Sequence, residues 1–285
     1  MELTDINVIK RILGRHGFSF SKSLGQNFLI DPTVCPRMAQ MGGAREGTAA
    51  IEIGPGMGVL TVELAKRADR VVTIELDTRL IPVLAETLND YRNVEVINAD
   101  VLKTDLHGII AEKFGNMPVN VCANLPYYIT SPILMYLLES RLPVESITVM
   151  VQKEAADRLC ARVGSRDSGA ITVAVNYYAD AEVLFDVKRD CFTPSPNVDS
   201  CVIRLKVRKE PPVKVSDEEF FFKMVKAAFS QRRKTASNGI SSGMGISKDK
   251  VAEALALSGL SPTVRAEALS MEELAALSDN LLKVK

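Results

Sequence analysis

Histidine is scarce. Only His16 and His107 occur in 285 residues, both in polar surroundings, which argues against a histidine-based triad or a zinc site. Cysteine offers no framework either. Cys35, Cys122, Cys160, Cys191 and Cys201 are odd in number, widely scattered and without a C-x-x-C pair, so a reducing, cytoplasmic home is expected. A surplus of one charge is also missing. With 35 basic and 35 acidic residues the formal net charge is +0, so nucleic-acid binding must be argued from local patches. No run of 18 residues is apolar without charge, which excludes a membrane-spanning helix. The opening "MELTDINVIKRILGRHG" is charged throughout, unlike a signal peptide.

What is present is ordinary for a globular chain: 47% hydrophobic and 25% charged residues, at a length that suggests about two domains. From residue 49 short β-rich runs alternate with helical stretches. The strand candidates are "AAIEIG" (49–54), "RVVTIEL" (70–76), "VEVINA" (94–99), "VNVCAN" (119–124) and "SITVMVQ" (146–152). Between them "VLTVELAKRA", "TRLIPVLAETLND" and "SPILMYLLES" carry helical spacing of apolar residues. This order predicts an α/β fold with a mainly parallel sheet. "AEVLFDV" (181–187) and "CVIRLKV" (201–207) are joined by a loop too short for a crossover, so they are expected to pair antiparallel. Seven strands follow, with one reversed element at the edge. The Pro-containing, charged stretch "RKEPPVKVSD" (208–217) marks a boundary. Beyond it the chain reads helical, with turns at "SNGISSGMGIS" and "GLSP". Residues 1–48 predict a helix over 4–16 and an extended arm.

"IEIGPGMG" (51–58) follows a strand and opens a helix, where a parallel sheet receives ligands. Gly54, Gly56 and Gly58 allow close backbone approach, although a tight turn alone would also use them. A dinucleotide fingerprint needs Gly or Ala at position 59, which is Val59, and no Lys-Ser/Thr follows as a P-loop requires. E-x-G-x-G-x-G resembles instead the first motif of class I S-adenosylmethionine-dependent methyltransferases. In that frame Glu75, closing the second strand, would accept both ribose hydroxyls, and Asp100, closing the third, would accept from the adenine amino group. Each taken singly also reads as a strand-end or capping acid. Glu52, inside an apolar strand, reads as a structural carboxylate ordering the glycine loop, with a share in the cofactor's charge.

The fourth strand ends on "ANLPY" (123–127). An exocyclic adenine amine is a poor nucleophile because its lone pair is delocalised. Two fixed acceptors would hold its N–H bonds: the Asn124 side-chain oxygen and the Leu125 carbonyl. Pro126 locks φ and stiffens that carbonyl, and Tyr127 can stack on the base. No strong general base is needed, so catalysis rests on proximity and electrostatics. A capping Asn before a Pro turn is the competing reading.

The motif resembles the [N/D]-P-P-[Y/F] signature of amino-group methyltransferases, in the N-L-P-Y form of the ribosomal RNA adenine N6-dimethyltransferases. "KSLGQNFLID" (22–31) resembles that family's N-terminal signature, in which Gln26, Asn27 and Leu29 would fold over the cofactor. "CFTPSPNVDSCVIRL" (191–205) resembles its F-x-P-x-P-x-V-D-S motif, which implies that Phe192 stacks on the flipped adenine opposite Tyr127. "AFSQRRKTASN" (228–238) resembles the second-domain signature. Together these motifs are most similar to the bacterial small-subunit (16S rRNA) type. That resemblance implies dimethylation of two adjacent adenosines in the 3′-terminal hairpin loop of 16S rRNA, within a small-subunit (30S) assembly intermediate, by a monomer that needs no metal and no membrane. It further implies three parts: an arm over 1–48 flanking cofactor and RNA, a Rossmann-like S-adenosylmethionine-binding catalytic domain over 49–210, and a helical RNA-binding domain over 211–285.

Arg232, Arg233 and Lys234 form the densest basic run and, with Arg11, Arg15 and Lys22, are candidates for phosphate contacts; solvated helix faces are the alternative. Arg204, Lys206 and Arg208 alternate with apolar residues as a half-exposed strand does. "FFF" at 220–222 reads as helical core. The other functional readings are a large-subunit (23S) rRNA methyltransferase, a DNA adenine methyltransferase, for which the D-P-P-Y form is usual, and an assembly or transcription factor acting by binding.

Overall fold

The computed structural model describes residues 2–18, 27–231 and 233–285. Two compact units divide the chain, Met1–Ala156 with Glu182–Val207, and Asp157–Ala181 with Arg208–Lys285.

The first unit is built on a sheet. Its strands are β1 (Phe28–Leu29), β2 (Ala49–Ile53), β3 (Arg70–Glu75), β4 (Val94–Asn98), β5 (Val119–Asn124), β6 (Ser146–Gln152), β7 (Ala179–Val187, of which 179–181 group with the second unit), β8 (Phe192–Thr193) and β9 (Ser200–Val207). Seven of them form one sheet in the order β4-β3-β2-β5-β6-β9-β7. β2 pairs parallel with both β3 and β5, β3 with β4, and β5 with β6. The central strands β2 and β5 are buried nearly throughout, which is why they read as unbroken apolar runs rather than as alternation. The reversed strand is β9, antiparallel to β6. It is not the edge, as expected from the sequence, but lies inside it, with β7 outermost. The short connection over 188–199 brings β9 back beside β7, and the free side of β6 then accepts it.

Helices α1 (Ile6–Arg15), α2 (Val34–Met41), α3 (Val59–Ala65), α4 (Ile81–Thr87), α5 (Leu106–Ile109) and α6 (Thr130–Glu139) belong to this unit, and α7 (Lys153–Leu159) follows β6. The extended arm expected after α1 contains α2, whose Val34, Cys35, Met38 and Ala39 recur at helical spacing and are buried. Ile9, Ile12 and Leu13 of α1 join Leu80 and Val83 in a separate small core, and Arg15 and His16 both meet Glu86.

The second unit is helical: α8 (Ala170–Tyr178), α9 (Glu218–Phe229), α10 (Ala236–Met244), α11 (Lys248–Leu257) and α12 (Met271–Val284). Residues 157–181, which the alternating pattern places with the sheet over 49–210, group here. The reason is aromatic: Tyr177 and Tyr178 of α8 pack on Phe221 and Phe222 of α9 with ring centroids 5.2 to 5.6 Å apart, and both hydroxyls donate to Glu218. The triple-Phe run is therefore helical core. The turn expected across "SNGISSGMGIS" is instead α10. Its Gly239 lets α9 approach so closely that a Cβ there would lie 2.6 Å from the Ala227 carbonyl oxygen. Arg204 pairs with Glu182, and Arg208 with Asp180, so these strand cations are held in ion pairs. Among the described residues no helix is long and apolar enough to cross a membrane.

Candidate active site

A cavity of about 290 Å³ opens at the carboxyl ends of β2, β3 and β5, where parallel sheets bind ligands. The glycine loop forms its floor. Gly54, Gly56 and Gly58 have φ of 69°, 58° and 88°, a region that side chains disfavour. At Gly58 a Cβ would also come 3.0 Å from Leu88 Cδ2. The loop therefore needs glycine for its conformation, and it leads directly into α3.

Glu75, 6% exposed, holds this loop in place. Its carboxylate accepts from the Gly56 amide at 3.3 Å and the Asp77 amide at 2.8 Å. Burial raises its pKa, more than those backbone bonds lower it. Asp100 caps a short 3-10 turn, accepting from the Leu102 amide at 3.1 Å, and lies 3.6 Å from the exposed Lys103 ammonium. The capping and cavity readings of these two acids are compatible, because both side chains line the cavity as well. Glu52, 1% exposed, accepts from Thr61 Oγ1 of α3 at 2.5 Å. Burial pushes its pKa up to about 8 against that bond. Thr73, its register partner on β3, faces the same carboxyl, and its hydroxyl, like that of Thr61, acts to lower that pKa. Glu52 thus ties β2 to the helix after the glycine loop, the structural role read for it.

Across the cavity, β5 runs into Asn124-Leu125-Pro126-Tyr127, all cavity-lining. Asn124 is half-buried, and its side-chain amide makes no hydrogen bond among the described residues; the Leu125 carbonyl likewise accepts none. Two acceptors at the end of one strand are therefore unused by the fold, which is unusual for half-buried and buried groups. The Pro126 carbonyl accepts from the Ile129 amide and the Thr130 hydroxyl, fixing the turn into α6. Tyr127 is half-buried, with its hydroxyl 2.7 Å from Ser200 Oγ at the start of β9. Burial raises its pKa, the Ser200 bond opposes this, and nearby Asp199 adds to it.

Phe192, 4% exposed, reaches the same cavity from β8. β8 pairs antiparallel with β1, matching Phe192 to Leu29 and Thr193 to Phe28, and the Ile30 amide donates to the Cys191 carbonyl at 2.8 Å. Two segments that are far apart in the chain, "NFLID" and "CFTPSP", thereby become one strap carrying Asn27, Leu29 and Phe192 to the cavity. The Thr193–Pro194 peptide is cis.

Every described residue expected to hold cofactor or base thus lines this one cavity: Asn27, Leu29, Gly54, Gly56, Glu75, Asp100, Asn124, Leu125, Pro126, Tyr127 and Phe192. Gln26, Lys22 and Arg232 lie outside the described residues. Arg11 is exposed on α1, and Arg233 and Lys234 are exposed in the second unit between α9 and α10. The sequence reading missed Leu76, Asp77 and Tyr128, which also line the cavity. An apolar Leu76 directly after a strand-end acid, and a second tyrosine after Tyr127, were the available signals. Among the described residues no His, Cys, Asp and Glu are grouped to hold a metal ion.

The residues fit S-adenosylmethionine. A mainly apolar cleft with glycine backbone at its floor, carboxylates at successive strand ends and two unused acceptors suits a nucleoside with a charged amino-acid tail and an incoming amine. Comparison with known proteins agrees. Residues 17–283 match the family model described as ribosomal RNA adenine dimethylase. The chain is 52% identical over 277 residues to ribosomal RNA small subunit methyltransferase A of Geobacillus thermodenitrificans (96% of this chain, 94% of that one). It is 48% identical over 285 residues to the protein of the same name from Streptococcus pneumoniae (99% and 98%). Among solved structures, the 23S rRNA methyltransferase ErmE superposes with TM-score 0.65 at 29% identity, covering 89% of this chain and 99% of that one. A dimethyladenosine transferase from Plasmodium falciparum, at 24% identity and TM-score 0.69 over 88% of this chain and 95% of its own, shares the fold. On these matches and this cavity, the chain belongs to the ribosomal RNA adenine dimethylase family.

Proposed function

We propose that this enzyme transfers methyl groups from S-adenosylmethionine to the N6 amines of two adjacent adenosines in the 3′-terminal hairpin loop of 16S rRNA. The site of action is a small-subunit (30S) assembly intermediate in the cytoplasm, and the enzyme acts as a monomer. The observation that carries the chemistry is the pair of unused acceptors, the Asn124 amide oxygen and the Leu125 carbonyl, beside an anchored tyrosine ring. The assignment to the small subunit rests on relatives near half identity that carry that name, against 29% for the 23S enzyme.

S-Adenosylmethionine supplies an electrophilic methyl group and no proton chemistry. Glu75 and Asp100 would hold its ribose and adenine, the backbone of Gly54 and Gly56 would pass close to its amino-acid end, and Asn27 and Leu29 would cover it from the strap. The target base is rotated out of the RNA stack, at an unstacking cost of a few kcal/mol, and is bracketed by Tyr127 and Phe192. Asn124 and the Leu125 carbonyl accept the two N6 hydrogens, which localises the nitrogen lone pair and aims it. Both groups stand on backbone fixed before binding, so little reorganisation remains for the reaction. The cation that forms on nitrogen is acidic and gives its proton to solvent without a dedicated base. A second round on the same nitrogen replaces one N–H by a methyl, which leaves one acceptor bonded. Arg11 in the first part of the chain, and Lys22, Arg232, Arg233 and Lys234, would meet phosphates, with the segment over 211–285 serving as the RNA-binding part.

The experiment is transfer of labelled methyl to unmethylated 30S particles, with mapping of the modified bases. Two adjacent N6,N6-dimethyladenosines in the 3′-terminal loop are expected. Modification of purified 23S RNA with 30S particles left unlabelled would reject the assignment.

A further inference from the structure

Among the described residues six large apolar side chains are exposed, and only Leu76 and Tyr128 of these line the cavity. Leu76 follows Glu75, on the cofactor side. Tyr128, 61% exposed, follows the amine-holding motif on the turn between β5 and α6. Its mount is rigid. Tyr127 on one side is tied to Ser200, while the Ile129 amide and Thr130 hydroxyl on the other both donate to the Pro126 carbonyl. The ring itself is unengaged: its hydroxyl makes no hydrogen bond and its face meets no aromatic or cationic partner among the described residues. A flat ring held in water by fixed backbone, at the mouth of a site that takes a base, is a stacking surface without its occupant.

The geometry points to Tyr128 as a second base platform, for the nucleotide next to the methylated adenosine. Rotating a base into the cavity strips its neighbour of one stacking partner, and that neighbour stays at the mouth because the phosphodiester link is short. An aromatic ring there restores the lost stack without reading sequence, since every base has a π-face. Tyr127 and Phe192 hold the reacting base, whereas Tyr128 holds the strand. Tyr128 is therefore a positioning residue whose effect falls on RNA affinity. The inference rests on the reading that Tyr127 and Phe192 bracket the target.

The test uses the full-length protein, S-adenosylhomocysteine and a synthetic RNA hairpin with two adjacent loop adenosines, each replaced in turn by 8-vinyladenosine, a fluorescent adenosine that keeps the N6 amine. With wild-type protein, fluorescence should be quenched when the probe is at the target, between Tyr127 and Phe192, and also when it is at the neighbour, on Tyr128. Tyr128→Ala should lose the neighbour quench and weaken hairpin binding on the order of tenfold, with the target signal and S-adenosylhomocysteine affinity kept; Tyr128→Phe should behave as wild type. An equal neighbour signal in wild type and Tyr128→Ala would overturn the proposal, as would loss of S-adenosylhomocysteine binding, which would place the ring on the cofactor. If the target probe is unquenched in wild type while the neighbour quench still depends on Tyr128, the bracketing by Tyr127 and Phe192 is wrong and the platform stands.

Discussion

The Tyr127 hydroxyl lies 2.7 Å from Ser200 Oγ. The Asn-Leu-Pro-Tyr end of β5 is thereby bonded to the last residue of the P-x-V-D-S segment, and two motifs act on one ring. A tyrosine that is to stack on a base must hold its plane before the base arrives, and this bond sets it. Ser200→Ala removes a neutral hydrogen bond at a half-buried hydroxyl, a cost of about 1 kcal/mol, or roughly fivefold in kcat/KM. Tyr127→Phe should cost a similar amount. Because both changes delete the same bond, the double variant should be no worse than either single one. Additive losses in steady-state kinetics on 30S particles would show that the bond does not position the ring.

Asn124 is expected to act on the barrier and not on the fold. Its side chain supports no other described residue, so Asn124→Ala should keep Tm and S-adenosylhomocysteine binding. Loss of a fixed acceptor at the developing charge should lower kcat by about 10² to 10³. Undiminished turnover would remove Asn124 from the mechanism.

The buried carboxyl of Glu52 gives stability a pH dependence of defined sign. Its pKa rises from 4.5 to about 8 on folding because burial disfavours the charged form. Between those values the folded state carries a proton that the unfolded state has released, so the contribution is complete below about pH 4.5 and is lost as pH rises through 8. The total is on the order of several kcal/mol. Glu52→Gln keeps a neutral partner for Thr61 and should flatten the fall of Tm between pH 6 and 8 relative to wild type. Parallel Tm curves for the two proteins would contradict a neutral Glu52.

Gly239→Ala tests the α9–α10 contact. In a solvent-exposed helix the change would be worth up to about 1 kcal/mol in favour of alanine. Here the new Cβ meets the Ala227 and Ala228 carbonyl oxygens at 2.6 and 2.9 Å. Backbone cannot step aside as a flexible side chain can, and overpacking of this kind costs about 1–3 kcal/mol. The clash should win, lowering Tm by several degrees. A raised Tm would mean that α10 shifts freely.

Much of the site was legible because its chemistry sits at strand ends, which apolar periodicity locates directly. Gly54, Glu75 and Asn124 each close a run of mostly buried residues, Asp100 follows the half-exposed outer strand β4, and consecutive parallel strands place all of them at one end of the sheet. Local sequence therefore determined the parallel core, the glycine loop and the amine-holding turn. Tertiary structure alone decided that β9 enters the sheet inside β7, that 157–181 joins the helical unit through Tyr177 and Tyr178, and that "SNGISSGM" is a helix. It also decided that Leu29 and Phe192 share a strap, and that Ser200 holds Tyr127. Periodicity reports whether a residue faces a core, but not which distant segment supplies it. Strand partners, a close helix crossing and a bond between residues 127 and 200 are settled by how non-local surfaces fit, and no window of the sequence contains both sides of those contacts.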